Sequence, residues 1–233
     1  MSADAKGGGP DLAVLASLRR FGRPRAVQER CELCNAGLSA EHAHLIEVAN
    51  RRLVCACDAC AILFDRPPSP YPLPPEGGEG RVRGGTAKYR RVPRRVQYLA
   101  DFRLPDAAWE ELHLPIDLAF FLHSTPAGRV IALYPSPAGA TESLVTLEAW
   151  QTLTEDNPVL RDFEPDVEAL LVNRTKGARD CYRVGIDECF RLVGLIRTHW
   201  RGLSGGTEVW EAIGRFFADL KDRSGPRGGP AHA

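Results

Sequence analysis

The sequence predicts an α+β protein in two parts, a small cysteine-rich module over residues 28–64 and a larger α+β domain over residues 96–223. Three observations predict it. Two CxxC pairs flank a stretch with β-hairpin patterning near the N-terminus. Short apolar, β-branched runs separated by turn residues occupy the middle of the chain, which gives a small, mostly antiparallel sheet. Two amphipathic patterns of helical period close it, so the helices of the domain are C-terminal.

The chain has 233 residues, which suits a small module plus one domain of ordinary size. Hydrophobic residues make up 44% and charged residues 26%, the balance of a globular protein, and the formal net charge is zero. A neutral molecule has no broad field to draw nucleic acid or an anionic membrane, so any such preference must come from local patches. No stretch approaches the length of apolar residues that a membrane span needs. The segment "SLRRF" has paired arginines, but no apolar run follows as an export signal requires. Residues 1–27 are therefore expected to be a flexible segment with a short helix around Asp11–Arg20, in a cytoplasmic protein. In a reducing compartment, clustered CxxC pairs mean metal or redox chemistry rather than disulfides.

Five of the seven cysteines and two of the six histidines fall within residues 31–60. A CxxC turn converges two sulfurs on one ion, and two such turns supply four thiolates. The expected ligands are Cys31, Cys34, Cys57 and Cys60. Between the pairs, "HLIEVANRRLVCA" reads as a hairpin with "ANRR" at its turn, and "DACAILF" after them starts a short helix. A knuckle, a hairpin and a helix bearing the last two ligands make a treble-clef or zinc-ribbon arrangement. Four thiolates select Zn2+ first, with iron as the alternative. Cys55, His42 and His44 stay open. Cys55 reads as a small apolar residue ending a strand, as a replacement for one of the four ligands, or as a free thiol. His42 and His44 read as a solvated pair before the hairpin, or, because they alternate onto one face, as part of a second, weaker metal site.

Residues 65–95 are rich in proline and glycine and then, from Arg81 to Arg95, in positive charge, so an extended linker is expected. In the domain, "PIDLAFFLHS" and "GRVIALYPS" separated by "TPAG" give a hairpin, while "DVEALLVNRT" and "CYRVGI" add two strands. A helix is expected over Leu147–Asp156. In "DECFRLVGLIRTHW", Cys189, Val193, Ile196 and Trp200 share a face, with Asp187 as N-cap. In "TEVWEAIGRFFADLKDR", Val209, Ile213, Phe216, Phe217 and Leu220 do so, with Thr207 as cap. The tail, residues 224–233, is expected to be disordered.

No competing active site stands out. "YPSPAGATES" places Ser136, Thr141 and Glu142 after an apolar strand, but no nucleophile elbow or phosphate-binding loop accompanies them. A proline-braced turn leading into a helix capped by Thr141 is the expected structure. The loop remains a candidate surface for a partner, together with Arg90 and Arg91 from the basic run. His113, His123 and His199 are isolated, Cys181 and Cys189 read as core, and the four tryptophans read as core or interface anchors.

Together, "CELC", "CACDACAILF", "YPSPAGATES", "PDVEALLVNR" and "IDECFRLVGLIRTHW" resemble an uncharacterised bacterial family, across about residues 28–222. That family is associated with gene clusters encoding nickel–iron hydrogenases of the aerobic, actinobacterial type. The segment 65–95 departs from it as a local expansion. The resemblance implies a setting rather than a reaction. The expected function is a non-catalytic accessory protein whose structural zinc site helps bind a protein partner, a hydrogenase subunit or maturation factor. The alternatives are a rubredoxin-like iron protein that transfers electrons for the same enzyme and, less favoured, a zinc-ribbon protein that binds nucleic acid.

Overall fold

The computed structural model describes residues 29–65, 87–143, 147–202 and 205–224. The helix expected at Asp11–Arg20, most of the Pro/Gly/Arg-rich segment and residues 225–233 lie outside the described residues.

Short apolar runs broken by turn residues decide the larger architecture. Strands β5 (Leu118–Ser124), β6 (Arg129–Ser136), β8 (Glu168–Asn173) and β9 (Asp180–Gly185) are the four expected from the sequence. Two more, β4 (Val96–Tyr98) and β7 (Gly139–Ser143), extend the sheet to six strands in the order β4-β9-β8-β5-β6-β7. Every neighbouring pair is antiparallel. The sheet is buried on both faces, which is why β8 reads as an unbroken apolar run rather than an alternating one. Phe120, Leu122, Ile131, Leu171, Tyr182 and Val184 face one core cluster; Ala119, Phe121, Ala132, Leu170, Val172 and Cys181 face another. Period-two geometry splits each strand between the two.

Helices cover both faces. Helices α4 (Ile186–His199) and α5 (Gly206–Arg223) seal the first through Cys189, Leu192, Val193, Ile196, Val209, Ile213, Phe216, Phe217 and Leu220. Helices α2 (Asp106–Glu111) and α3 (Leu147–Asp156), with a 3-10 turn at Pro158–Asp162, close the second through Trp109, Leu112, Leu153 and Leu160. Cys181 and Cys189 are core residues, as expected. Among the described residues, no helix is long and apolar enough to cross a membrane.

The cysteine-rich module has its own three-stranded sheet, ordered β2-β1-β3, from β1 (Ala43–Glu47), β2 (Arg52–Ala56) and β3 (Tyr89–Arg91). The β1–β2 hairpin turns at Val48–Arg51, where Arg51 takes a positive φ of 58°. Helix α1 (Asp58–Phe64) follows. The expected linker overran into this sheet: Tyr89–Arg91 is a strand, antiparallel to β1. A basic, proline-flanked run gives no alternation to read, and only the open edge of β1 recruits it.

Three local expectations are corrected. Thr141 lies in β7, paired with Tyr134, and caps no helix. The N-cap of α4 is Gly185, and Asp187 sits in the first turn. The N-cap of α5 is Gly205, in a left-handed conformation with φ 87°, and Thr207 is already helical. In both cases a glycine N-cap puts the polar residue inside the first turn.

Candidate metal centre

The first CxxC is a tight turn. Asn35 N–H donates to Cys31 O and Cys31 N–H to Ala36 O, both at 2.8 Å, while Asn35 takes φ 64°. The turn is tied to the hairpin by Glu32 N–H donating to Cys55 O at 2.9 Å. The second pair straddles the start of α1: Cys57 is its N-cap, its carbonyl accepting from Ala61 N–H at 2.8 Å, and Cys60 lies one turn in. These anchors bring the donor atoms of Cys31, Cys34, Cys57 and Cys60 within 4.8 Å of one another. Cys34 and Cys57 Sγ are 3.7 Å apart. Four sulfurs held about 2.3 Å from one ion at tetrahedral angles stand about 3.8 Å apart, so the spacing fits a four-thiolate site.

Burial grades the cluster from inside to outside. Cys31 and Cys60 are buried among Leu38, Leu45, Val54, Ala56 and Ala61, while Cys34 is exposed. Burial pushes the Cys31 thiol up, but backbone N–H groups of Cys57, Cys34 and Leu33 outweigh it and bring it down to about 6. Burial pushes the Cys60 thiol up to about 12, reinforced by hydrogen bonds with the other three thiols. One thiolate forms readily and opposes the others, and a cation resolves that opposition. The cluster can hold zinc or iron.

Cys55 and the two histidines lie outside the four-sulfur cluster and come together in a group of their own, with donor atoms within 4.8 Å of one another. The reading of the histidines as a solvated pair does not hold. The His42 side chain is 8% exposed, and the His44 ring donates from Nδ1 to Asp187 Oδ2 at 2.8 Å. Asp187 is a residue that sequence reasoning missed here. It lies 143 positions from His44, and no local pattern announces the contact.

The candidate partner-binding residues are engaged within the chain. Ser136 Oγ donates to Gly139 O at 3.0 Å and lies 3.1 Å from Thr141 Oγ1. Glu142 pairs with Arg129 at 2.8 Å and with Arg51 of the module at 3.1 Å. Arg90 pairs with Glu164 and donates to Pro165 O at 2.8 Å. Arg91 is exposed, and its N–H donates to Asp65 Oδ1 at 3.1 Å. Beside Ser136 opens a cavity of about 480 Å³, walled by Tyr134, Ile196, Trp200, Trp210 and Ile213, with Lys176 at its edge. Neither histidine nor cysteine lines it, and its titratable groups besides Tyr134 are Asp117 and Lys176. His113 and His123 are exposed, and His199 bonds Leu195 O of its own helix.

Fold and site define an α+β protein with antiparallel sheets, C-terminal helices and a four-cysteine cluster that could hold a metal ion. Residues 30–224 match a family described as a family of unknown function, DUF5947, and the chain belongs to that family. No curated protein and no solved structure matches it.

Proposed function

We propose that this protein is a non-catalytic accessory protein whose four-thiolate site holds a structural Zn2+ and whose module presents a surface to a protein partner. The carrying observation is the convergence of the donor atoms of Cys31, Cys34, Cys57 and Cys60 within 4.8 Å of one another on a module that shares its core with the larger domain. The succession of knuckle, hairpin and helix supports a treble-clef reading of that module. Exposed Ile62, Leu63 and Phe64, on the helix that carries Cys60, supply an apolar patch of the kind that binds protein. Resemblance to a bacterial family found with nickel–iron hydrogenase genes supports a hydrogenase subunit or maturation factor, in the cytoplasm, as that partner.

The exposed edge at Cys34 favours one other reading, a rubredoxin-like iron centre passing electrons to or from the same enzyme. Elemental analysis of the purified chain separates the two. One zinc per four-thiolate site and a colourless protein support the structural reading, and one iron with a red protein overturns it. Partner binding is tested by co-purification with hydrogenase subunits. A double substitution, Ile62→Glu with Leu63→Glu, should abolish capture while metal content stays unchanged. Capture undiminished by that substitution would remove the patch from the proposal.

A further inference from the structure

The group formed by His42, His44 and Cys55 has an architecture separate from the four-thiolate cluster. Strand register makes it. His44 stands opposite Cys55 across the β1–β2 hairpin, and His42, two positions before His44, falls on the same face. The other face of the hairpin carries Ala43, Leu45, Val54 and Ala56, which pack with Cys31 and Cys60. Each of the three residues places one donor atom within 4.8 Å of the other two, and the two imidazole rings meet edge to face with centroids 4.8 Å apart.

Both rings are held as metal-ligating histidines usually are, with Nδ1 occupied by an oxygen acceptor and Nε2 left as a lone-pair donor. His42 Nδ1 donates to Ser39 O at 3.0 Å, with Glu29 Oε2 3.5 Å away. His44 Nδ1 donates to Asp187 Oδ2 at 2.8 Å. Asp187 is itself fixed, its Oδ1 accepting from Glu188 N–H at 2.9 Å. Second, and independently, His42 Nε2 is buried without a hydrogen-bond partner in a side chain 92% buried, taking 8% as its exposure. Nearly all buried polar atoms are satisfied, and no protein group satisfies this one, so the lone pair beside a second imidazole and a thiol is open to a ligand.

We propose that His42, His44 and Cys55 form a second metal site that takes a borderline divalent transition-metal ion of the zinc and cobalt class. Two nitrogens and a sulfur suit such ions and disfavour calcium or magnesium. Three protein ligands leave a fourth position for water or a donor from outside the chain, unlike the closed four-thiolate site. Asp187 acts as a positioning residue: it reaches from the first turn of α4 to orient a ligand on β1, so the ion would bind where the module meets the larger domain.

The probe is Co2+ alone, titrated into the purified full-length chain with its four-thiolate site already loaded. The wild type should take up one further equivalent with thiolate-to-cobalt charge-transfer absorption, and without releasing the resident metal to a chelating dye. Cys55→Ser should lose that absorption, and His42→Gln should lose the added equivalent. Asp187→Asn should weaken the uptake about 10–100-fold yet still reach one equivalent at saturation. Retention of the resident metal by each variant shows that it is folded. The proposal is overturned if the wild type takes up no cobalt, if uptake occurs only with release of the resident metal, or if Cys55→Ser keeps the absorption.

Discussion

Cys60 is the residue on which the four-thiolate site closes, because it is buried with Cys31 and lies one turn into the helix that completes the cluster. Cys60→Ser should therefore remove the metal and unfold residues 29–65, as metal content and circular dichroism would show, since the stability of such modules is largely metal binding. Cys55→Ser should leave the ion of the four-thiolate site in place. Protons compete with metal for thiolates, so affinity at this site should fall as pH is lowered, and a chelating dye should register release on the acid side. A second residue-scale feature lies in the sheet. Arg183 donates to both oxygens of Glu168, which is 2% exposed, and Arg183 Nη2 also donates to Asp162 O at 2.6 Å. Arg183→Ala leaves a buried carboxylate without its main partner. It should cost about 3–5 kcal/mol in urea denaturation.

At the scale of elements, the junction of β9 with α4 holds the most crowded of the described glycines. A Cβ on Gly185 would lie 2.3 Å from Pro93 O and 2.9 Å from Val92 Cγ1. The segment between β3 and β4 crosses there, with Gly185 N–H donating to Arg95 O at 3.3 Å. Glycine is required because backbone, not a flexible side chain, occupies the space. Gly185→Ala should force that segment away and lower the denaturation midpoint. A matched Gly194→Ala, at a helical position with nothing within 4 Å, should not lower it. The pairing of β3 with β1 follows the same logic. An open strand edge near a short basic run is enough to order it, with Arg90 pinned to Glu164 and Pro165 of the larger domain.

Across the whole molecule, the two parts are continuous. Ile46, Val48 and Val92 of the module belong to the same core cluster as Phe120, Tyr182, Ile186 and Phe217. The His44–Asp187 hydrogen bond and the ion pairs Arg51–Glu142 and Arg90–Glu164 span the same boundary. Ile46→Ala empties a site that is 1% exposed and should cost about 2–5 kcal/mol. All four tryptophans, Trp109, Trp150, Trp200 and Trp210, lie in the larger domain, whereas thiolate-to-metal absorption reports on the module. The two signals should therefore change together in urea, and chelation of the metal should lower the tryptophan midpoint as well. Separate transitions would mean that the shared core contributes little.

Local chemistry carried much of this into the sequence. CxxC spacing named four residues that the structure brings together, because a two-residue gap constrains both sulfurs through a single turn. Short apolar, β-branched runs located β5, β6, β8 and β9, because a sheet buried on both faces needs continuously apolar strands, and helical period located α4 and α5, because one-sided burial imprints its period on a helix. Tertiary structure alone decided the rest. Strands β3 and β4 are three residues each, too short to show a period, and form because neighbouring edges accept them. The placement of His44 depended on Asp187, far away in sequence, and the group with Cys55 depended on the hairpin register that sets Cys55 opposite His44. Contacts of that range are made by packing the module on the larger domain, and no stretch of sequence read by itself contains them.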